Sequence, residues 1–168
     1  MLIPIMILIF ILVWIFIGFP IFTQIRPGLN NKLFTIYKFK TLYDGDGDEL
    51  SRLSSFGNFL RKFGLDELPQ LINILKNDMS LIGPRPLLKE YLNKYSKKEL
   101  KRHNAKPGIT GLAQIISKNS NDLWSERLNL DIYYVENISF ILDVKIFINT
   151  IKLVFLKKKY SNFKKLYE

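Results

Sequence analysis

The sequence contains no cysteine and a single histidine. The absence of cysteine excludes disulfide bonds and thiolate metal sites. The lone His103 cannot form a histidine cluster, and its neighbours Lys101, Arg102 and Lys106 predict a solvated side chain within a basic segment. Chemistry that depends on cysteine or on several histidines is therefore excluded.

Charge is missing from the start of the chain, since no charged side chain precedes Arg26. Residues 1–22 are almost wholly apolar and lack the basic start and small-residue end of a cleaved signal peptide. Pro4 and Pro20 bracket this run, and residues 5–17 would rise about 20 Å as a helix, against a hydrocarbon core of about 30 Å. We therefore predict a helix over residues 1–22 that dips into a membrane. An ordinary single-pass anchor is an equal alternative on hydropathy.

The rest of the chain is strongly basic. The sequence carries 25 lysines and arginines against 15 acidic residues, a formal net charge of +10. This excess favours an anionic partner such as a nucleic acid, a phosphorylated substrate or an anionic membrane surface. Because a nucleic-acid ligand does not explain the uncharged apolar start, we predict no nucleic-acid partner.

Strand-like and helix-like patterns alternate after the apolar run, which predicts an α/β fold with a small sheet and packed helices. Residues 32–42 alternate as a strand does, and residues 106–116 predict a Pro-Gly turn leading into a short strand. Helices are predicted over residues 50–63, 67–77 and 87–95, after the Ser96/Glu99 capping box, over residues 122–136 and after Ser139. The acidic loop 44–49 fails the EF-hand pattern, because the sixth position is Glu49 instead of glycine and the twelfth is Ser55 instead of glutamate. The basic aromatic tail 157–168 suits a membrane interface or a solvated end.

Two adjacent carboxylates, Asp66 and Glu67, begin the helix predicted over residues 67–77. Their ordinary interpretation is an N-cap and a favourable interaction with the helix dipole. A functional interpretation is favoured because apolar neighbours make burial of both acids costly without a metal or cations. A helix start would also keep a carboxylate ionised with a low pKa. The candidate cations are Lys38 and Lys40 on the predicted strand, Arg61, and Arg85, which is fixed between two prolines. Such a set suits phosphoryl chemistry with Mg²⁺.

Five motifs lie between Phe22 and Lys145. They are TQIRPG (23–28), YKFKT (37–41), LDELPQL (65–71), DMSLIGPRPLL (78–88) and KPGITGLAQ (106–114), and they are followed by Trp124, Arg127, Asp131 and Tyr134. These motifs occur in the same order as in the bacterial sugar transferases, the monotopic phosphoglycosyl transferases, and the chain resembles that family. Within the family, the resemblance is strongest to transferases that start N-linked protein glycosylation from UDP-N,N′-diacetylbacillosamine. Much of this similarity lies in residues 128–146, LNLDIYYVENISFILDVKI.

The resemblance implies an enzyme that transfers a sugar 1-phosphate from a UDP-sugar to undecaprenyl phosphate and releases UMP. It makes Asp66 the nucleophile of a covalent phosphosugar intermediate, with Asp66 and Glu67 as the ligands of Mg²⁺. The positions that face phosphate in the family are Lys38, Arg61 and Arg85. Further candidates for substrate binding are Gln114, Arg127 and Asp131, for which structural roles are an equal alternative.

The resemblance also implies an organisation. A re-entrant membrane helix covers residues 1–22, a catalytic domain with interfacial amphipathic helices covers residues 23–156, and the basic tail follows. The expected location is the cytoplasmic face of a bacterial inner membrane. The expected partners are a UDP-sugar, undecaprenyl phosphate and the lipid bilayer, and a homodimer is allowed.

Three departures from the family accompany the resemblance. Only Pro4 corresponds to the Ser-Pro kink of the membrane helix, whose first arm has no counterpart here. Asn77 replaces a common glycine, and the short loop 44–53 predicts altered nucleotide or sugar selection. The alternative function is a truncated, non-catalytic membrane-surface or assembly protein of the same fold.

Overall fold

The computed structural model describes residues 2–116 and 124–156. The helices are α1 (Leu2–Phe16), α2 (Glu49–Arg52), α3 (Ser55–Phe63), α4 (Gln70–Leu75), α5 (Leu112–Ile116), α6 (Trp124–Glu136) and α7 (Phe140–Leu156). The strands are β1 (Ile21–Pro27), β2 (Leu33–Phe39), β3 (Ser80–Ile82) and β4 (Gly108–Thr110). Short 3₁₀ helices cover Leu29–Asn31, Leu65–Glu67, Lys89–Lys94 and Glu99–Asn104. Helices packed with small two-stranded sheets confirm the predicted mixture of helix and strand.

The chain divides into two compact units. The first unit contains Met1–Gln24 and Thr35–Asn73, and the second contains Ile25–Phe34 and Ile74–Glu168. Each unit has its own cluster of buried apolar side chains.

In the first unit, one face of α1 packs into the core. Ile9, Val13 and Ile17 recur every four residues, as one side of a helix requires, and are buried together with Phe39 and Leu60. The other faces of α1 are apolar and exposed; their larger side chains are Ile3, Ile5, Ile7, Leu8, Phe10, Ile11, Trp14, Ile15 and Phe16. Within residues 2–116 and 124–156, no helix combines the length and apolar character needed to cross a membrane.

The single helix predicted over residues 50–63 is wrong, because the chain breaks between α2 and α3. Leu53 leaves the helix to form an isolated antiparallel bridge with Leu42. Ser54 then caps α3, since its hydroxyl accepts the N–H of Gly57 at 2.8 Å. The bridge to Leu42, eleven residues earlier in the sequence, therefore overrides the helical pattern of residues 50–63.

In the second unit, β3 and β4 pair in parallel, with Ser80 opposite Gly108 and Ile82 opposite Thr110. The strand expected within residues 106–116 is confirmed over β4, but residues 112–116 form α5 instead of extending it. Strand β3 and strand β1 were not predicted. The core below this pair consists of Ile82, Leu112, Ala113, Ile115, Leu130, Tyr134 and Ile146.

The remaining helix predictions are confirmed in part. The segment predicted over residues 87–95 is a 3₁₀ helix, Lys89–Lys94. The capping box is confirmed, because the Ser96 N–H donates to Glu99 at 2.7 Å and the Glu99 N–H donates to the Ser96 hydroxyl at 3.3 Å. Helices α6 and α7 match their predictions, apart from residues 122–123. Those two residues and the tail 157–168 lie outside the described residues.

Candidate active site

A tight 3₁₀ turn presents the two adjacent carboxylates of the first unit. Helix α3 ends at Gly64, whose left-handed backbone (φ 68°) reverses the chain. Asp66 and Glu67 follow inside the turn Leu65–Glu67, and α4 begins only at Gln70. The predicted N-cap role of Asp66 is therefore wrong, because Asp66 lies inside a 3₁₀ turn. The Glu67 N–H donates to the carbonyl of Gly64, three residues earlier, and no α-helix begins at Asp66.

Lys38 on β2 forms an ion pair with Glu67. Its Nζ lies 2.7 Å from Glu67 Oε1, and the two side chains are only 20% and 15% exposed. Partial burial reduces solvent screening, so this contact is stronger than a typical surface ion pair. The sequence-predicted pairing of a strand lysine with the carboxylate pair is confirmed in its geometry.

Arg61 on α3 is held beside the end of β2. Its Nε donates to Thr41 Oγ1 at 2.9 Å, and its guanidinium also pairs with Glu49. This placement requires Gly57, because a Cβ there would lie 2.1 Å from the Thr41 carbonyl oxygen. The backbone contact of α3 with Thr41 thus brings Arg61 to the same site as the carboxylates, and Thr41 is a site residue that the sequence analysis missed.

The electrostatics of the site centre on Asp66. Burial raises the pKa of the Asp66 carboxyl, the adjacent Glu67 raises it further, and Lys38 and Arg61 act in the opposite direction. The low pKa expected from a helix start is therefore wrong, because Asp66 is partly desolvated and next to another carboxylate. A carboxylate held in this way is a stronger base and a stronger nucleophile when ionised.

Asp66 and Glu67 are the residues that would hold the Mg²⁺ implied by the family resemblance. Within the described residues, no group of three or more acidic or histidine side chains could hold a metal ion. Mg²⁺ is usually held by one or two carboxylates, with water and substrate phosphates as the other ligands. Asp66 and Glu67 supply that donor set, so these residues fit an ion completed by a substrate but not an all-protein metal cage.

The second unit carries Arg85 on the Gly83–Pro86 segment. The Arg85 residue is exposed, whereas the prolines on either side of it are buried. Its backbone carbonyl accepts a hydrogen bond at 2.7 Å from Arg102, which is itself buried. Arg102 also binds Asp131 on α6, at 2.6 Å. Asp131, predicted to contact substrate, is thus 4% exposed and engaged in a buried ion pair, which favours its structural alternative.

The prediction of a solvated His103 is wrong. The side chain is 4% exposed and packs against the Tyr95 ring, with a centroid separation of 5.7 Å. Burial and the neighbouring Arg102 cation lower the pKa of His103 to about 4, so the imidazole is neutral at physiological pH. The basic run around His103 concealed this, because charged neighbours in sequence normally indicate a solvated segment.

Gln114 and Arg127 are placed on α5 and α6 of the second unit. The Gln114 Nε2 donates to the Ile109 carbonyl at 3.2 Å, and Arg127 is partly buried on its helix. Their roles toward substrate stay predictions. The structure therefore brings together Lys38, Arg61, Asp66 and Glu67 in one unit. In the other unit, Arg102 links the Arg85 backbone to Asp131.

Comparison with known proteins identifies the family. Residues 1–157 match the bacterial sugar transferase family. The chain is 48% identical over 149 residues to the uncharacterized sugar transferase EpsL of Bacillus subtilis, covering 84% of this chain and 73% of that protein. It is 37% identical over 152 residues to the UDP-N-acetylgalactosamine-undecaprenyl-phosphate N-acetylgalactosaminephosphotransferase of Aeromonas hydrophila, covering 82% and 36%. It is 35% identical over 160 residues to the undecaprenyl-phosphate galactose phosphotransferase of Salmonella typhimurium, covering 82% and 33%.

The chain belongs to the bacterial sugar transferase family. It spans about a third of the length of the Aeromonas and Salmonella relatives.

Proposed function

We propose that this chain transfers a sugar 1-phosphate from a UDP-sugar to undecaprenyl phosphate and releases UMP, as a first membrane step of glycoconjugate assembly. The observation that carries the proposal is the carboxylate pair Asp66 and Glu67, flanked in one unit by Lys38 and Arg61. The names of the Aeromonas and Salmonella relatives, both phosphotransferases of undecaprenyl phosphate, support it.

The proposed reaction has two steps on Asp66. In the first, a carboxylate oxygen of Asp66 attacks the sugar-side phosphorus of the UDP-sugar, and the bond between the two phosphates breaks with its electron pair leaving on UMP. In the second, a phosphate oxygen of undecaprenyl phosphate attacks the same phosphorus and displaces the Asp66 carboxylate. The product is an undecaprenyl diphosphate sugar, and Asp66 is regenerated. The raised pKa of Asp66 suits the first step, because a more basic carboxylate is the better nucleophile.

The other residues of the first unit would stabilise charge. Asp66 and Glu67 would hold Mg²⁺, which when bound offsets the negative charge of the diphosphate. Lys38 orients Glu67 through their ion pair and adds a positive charge at the site. Arg61 contributes a second cation whose direction is set by Thr41. In the second unit, the exposed Arg85 is the candidate for a planar, two-pronged grip on phosphate.

We also propose a lipid bilayer as a partner, with α1 as a re-entrant helix and α7 at the interface, on the cytoplasmic face of a bacterial inner membrane. Both helices expose apolar faces that a soluble protein would bury. On α7 these side chains are Phe140, Ile141, Val144, Phe147, Ile148, Ile151 and Phe155. Lys145 and Lys152 are exposed on the same helix, as suits anionic headgroups.

The direct test is UMP release by the purified chain in detergent or lipid, with undecaprenyl phosphate, Mg²⁺ and a panel of UDP-sugars. The panel includes UDP-N,N′-diacetylbacillosamine, UDP-N-acetylgalactosamine and UDP-galactose. Repeated turnover to UMP should occur with at least one donor and should require the lipid acceptor, whereas without the acceptor UMP release should stop at about one equivalent per chain. A folded chain that releases no UMP from any donor would support the non-catalytic membrane-surface alternative. A homodimer stays a prediction.

Glu67→Gln is expected to lower turnover by about 10-fold to 100-fold. The amide keeps the shape of the side chain but loses the charge that pairs with Lys38 and that would bind Mg²⁺. Two further results follow from the same chemistry. High Mg²⁺ should restore part of the activity, and removal of the Glu67 charge should lower the Asp66 pKa and so shift the acidic limb of the pH–rate profile to lower pH.

Glu49→Gln is the matched control, because Glu49 is a more exposed acid paired with Arg61 in the same unit. It should retain nearly full turnover and the Mg²⁺ dependence of the unmodified chain. Equal losses in both variants would remove Glu67 from the proposed metal site.

A further inference from the structure

The Gly83–Pro86 segment is anchored to the second unit by its backbone. The Gly83 N–H donates to the Thr110 carbonyl at 2.9 Å, and the Gly108 N–H donates to the Pro84 carbonyl at 3.0 Å. A Cβ on Gly108 would lie 2.1 Å from the Gly83 nitrogen, so the segments around Gly83 and Gly108 touch backbone to backbone. These bonds fix Gly83 and Pro84 but leave the next carbonyl, that of Arg85, to be oriented by another group.

Arg102 is that group. Its side chain is 2% exposed, and one guanidinium nitrogen donates to the Arg85 carbonyl at 2.7 Å. The same nitrogen and Nε donate to Asp131 Oδ2 at 2.6 Å and 3.1 Å. Asp131 neutralises the buried cation, since an unpaired guanidinium would be costly at such burial. Its other terminal nitrogen, Nη1, lies 3.5 Å from His103 Nε2, and the guanidinium lies 5.8 Å from the centre of the Tyr95 ring. Arg102 is therefore held by protein partners on every side and is shielded from solvent.

We propose that Arg102, neutralised by Asp131, is a positioning residue that orients the backbone of Arg85 and thereby the direction of its side chain. Pro84 and Pro86 are locked in φ, and a residue before proline is confined to extended conformations. Within that range, the hydrogen bond from Arg102 selects one orientation of the Arg85 carbonyl. This inference rests on the proposed function only for the identity of the phosphate that Arg85 binds.

The test is a double-mutant cycle between Arg102→Lys and Arg85→Ala. Arg102→Lys keeps the charge opposite Asp131 but loses the fixed fork that reaches both partners. Turnover should fall about 10-fold to 100-fold with Arg85 present, as expected for a small misplacement of a binding group. In the Arg85→Ala background the same change should have little further effect, because the residue being positioned is gone. A purely structural role predicts equal losses in both backgrounds and would overturn the proposal.

Lys101→Gln is the matched control. Lys101 is on the same 3₁₀ helix and pairs with Glu136 on α6 at 2.9 Å, so it joins the same two elements as Arg102 does, but at the surface. It should leave turnover unchanged. If Arg102→Lys does not fold, Asp131→Asn takes its place in the cycle with the same expectation.

Amide hydrogen exchange gives a readout that does not depend on catalysis. The Gly108 amide, which donates to Pro84, should exchange at least about 10-fold faster in Arg102→Lys than in Lys101→Gln, because loss of the Arg102 contact loosens the segment. Unchanged exchange would overturn the anchoring.

If the unmodified chain releases no UMP, the proposed function has failed separately, and affinity for inorganic pyrophosphate replaces turnover in the double-mutant cycle. Additive effects on that affinity would overturn the positioning role.

Discussion

Asp66→Asn is expected to abolish sugar-phosphate transfer, by at least about 10³-fold, without lowering the stability of the fold. The amide cannot attack phosphorus, so the loss of activity follows from the proposed mechanism. Stability should be unchanged or higher near neutral pH, because the substitution removes a partly buried charge that lies next to Glu67. Transfer is measured as UMP release, and stability by denaturant unfolding.

The dependence of stability on pH follows from the direction in which folding shifts the pKa of Asp66. The pKa of Asp66 is higher in the folded chain than in the unfolded chain. The folded state therefore binds the proton more tightly, and the unmodified chain loses stability as pH rises from the ordinary aspartate range towards the raised value. The gain in stability of Asp66→Asn over the unmodified chain should be largest above the raised pKa of Asp66. It should disappear in acid, where Asp66 is protonated in both the folded and the unfolded state.

Asp44→Asn is the control for this pH dependence, because Asp44 is a largely exposed acid paired with Lys40. It should show neither the loss of transfer nor the gain in stability. Near-normal transfer by a folded Asp66→Asn chain, or a clear loss of its stability at neutral pH, would favour a purely structural role for the carboxylate.

Arg85→Lys is expected to lower turnover by about 10²-fold although the charge is kept. Lysine replaces a planar fork with a point charge, so a two-pronged contact with phosphate is lost. The backbone at this position is held by Arg102 and by the flanking prolines, so the altered side chain cannot recover the geometry by moving the segment. Turnover and the affinity for UDP should fall together.

Arg52→Lys provides the comparison, since Arg52 donates to the Tyr43 carbonyl and lies outside the proposed site. Its turnover should match that of the unmodified chain. If a normally folded Arg85→Lys chain also turns over at that rate, Arg85 has no part in phosphate binding.

The sequence predicted the core of the candidate site because its signals are local. The alternating pattern of residues 32–42 placed Lys38 on a strand, and the carboxylate pair was visible as two adjacent acids among apolar residues. The contact between Lys38 and Glu67 spans 29 residues, but both side chains stood out by charge in apolar surroundings. Asn77 is also explained by the structure, since its φ of 67° is a left-handed conformation that glycine and asparagine tolerate best.

The errors arose where contacts distant in sequence decide the structure. Leu53 is drawn out of a helical pattern by its bridge to Leu42. The three-residue strand β3 exists only because β4 pairs with it from 28 residues further along the chain. Arg102 looked like one cation in a solvated basic run, because nothing local indicates that Asp131 neutralises it inside the protein. Local propensity cannot reveal partners of this kind.

The most direct test of the proposed mechanism is the intact mass of the purified chain after rapid mixing with a UDP-sugar and Mg²⁺ in the absence of undecaprenyl phosphate. We expect a mass increase equal to one sugar phosphate, located on Asp66 by peptide mapping and absent from Asp66→Asn. Addition of undecaprenyl phosphate should remove the adduct and yield the lipid-linked sugar. An active enzyme that shows no adduct under rapid quench, with kinetics that require both substrates bound together, would contradict the covalent role of Asp66.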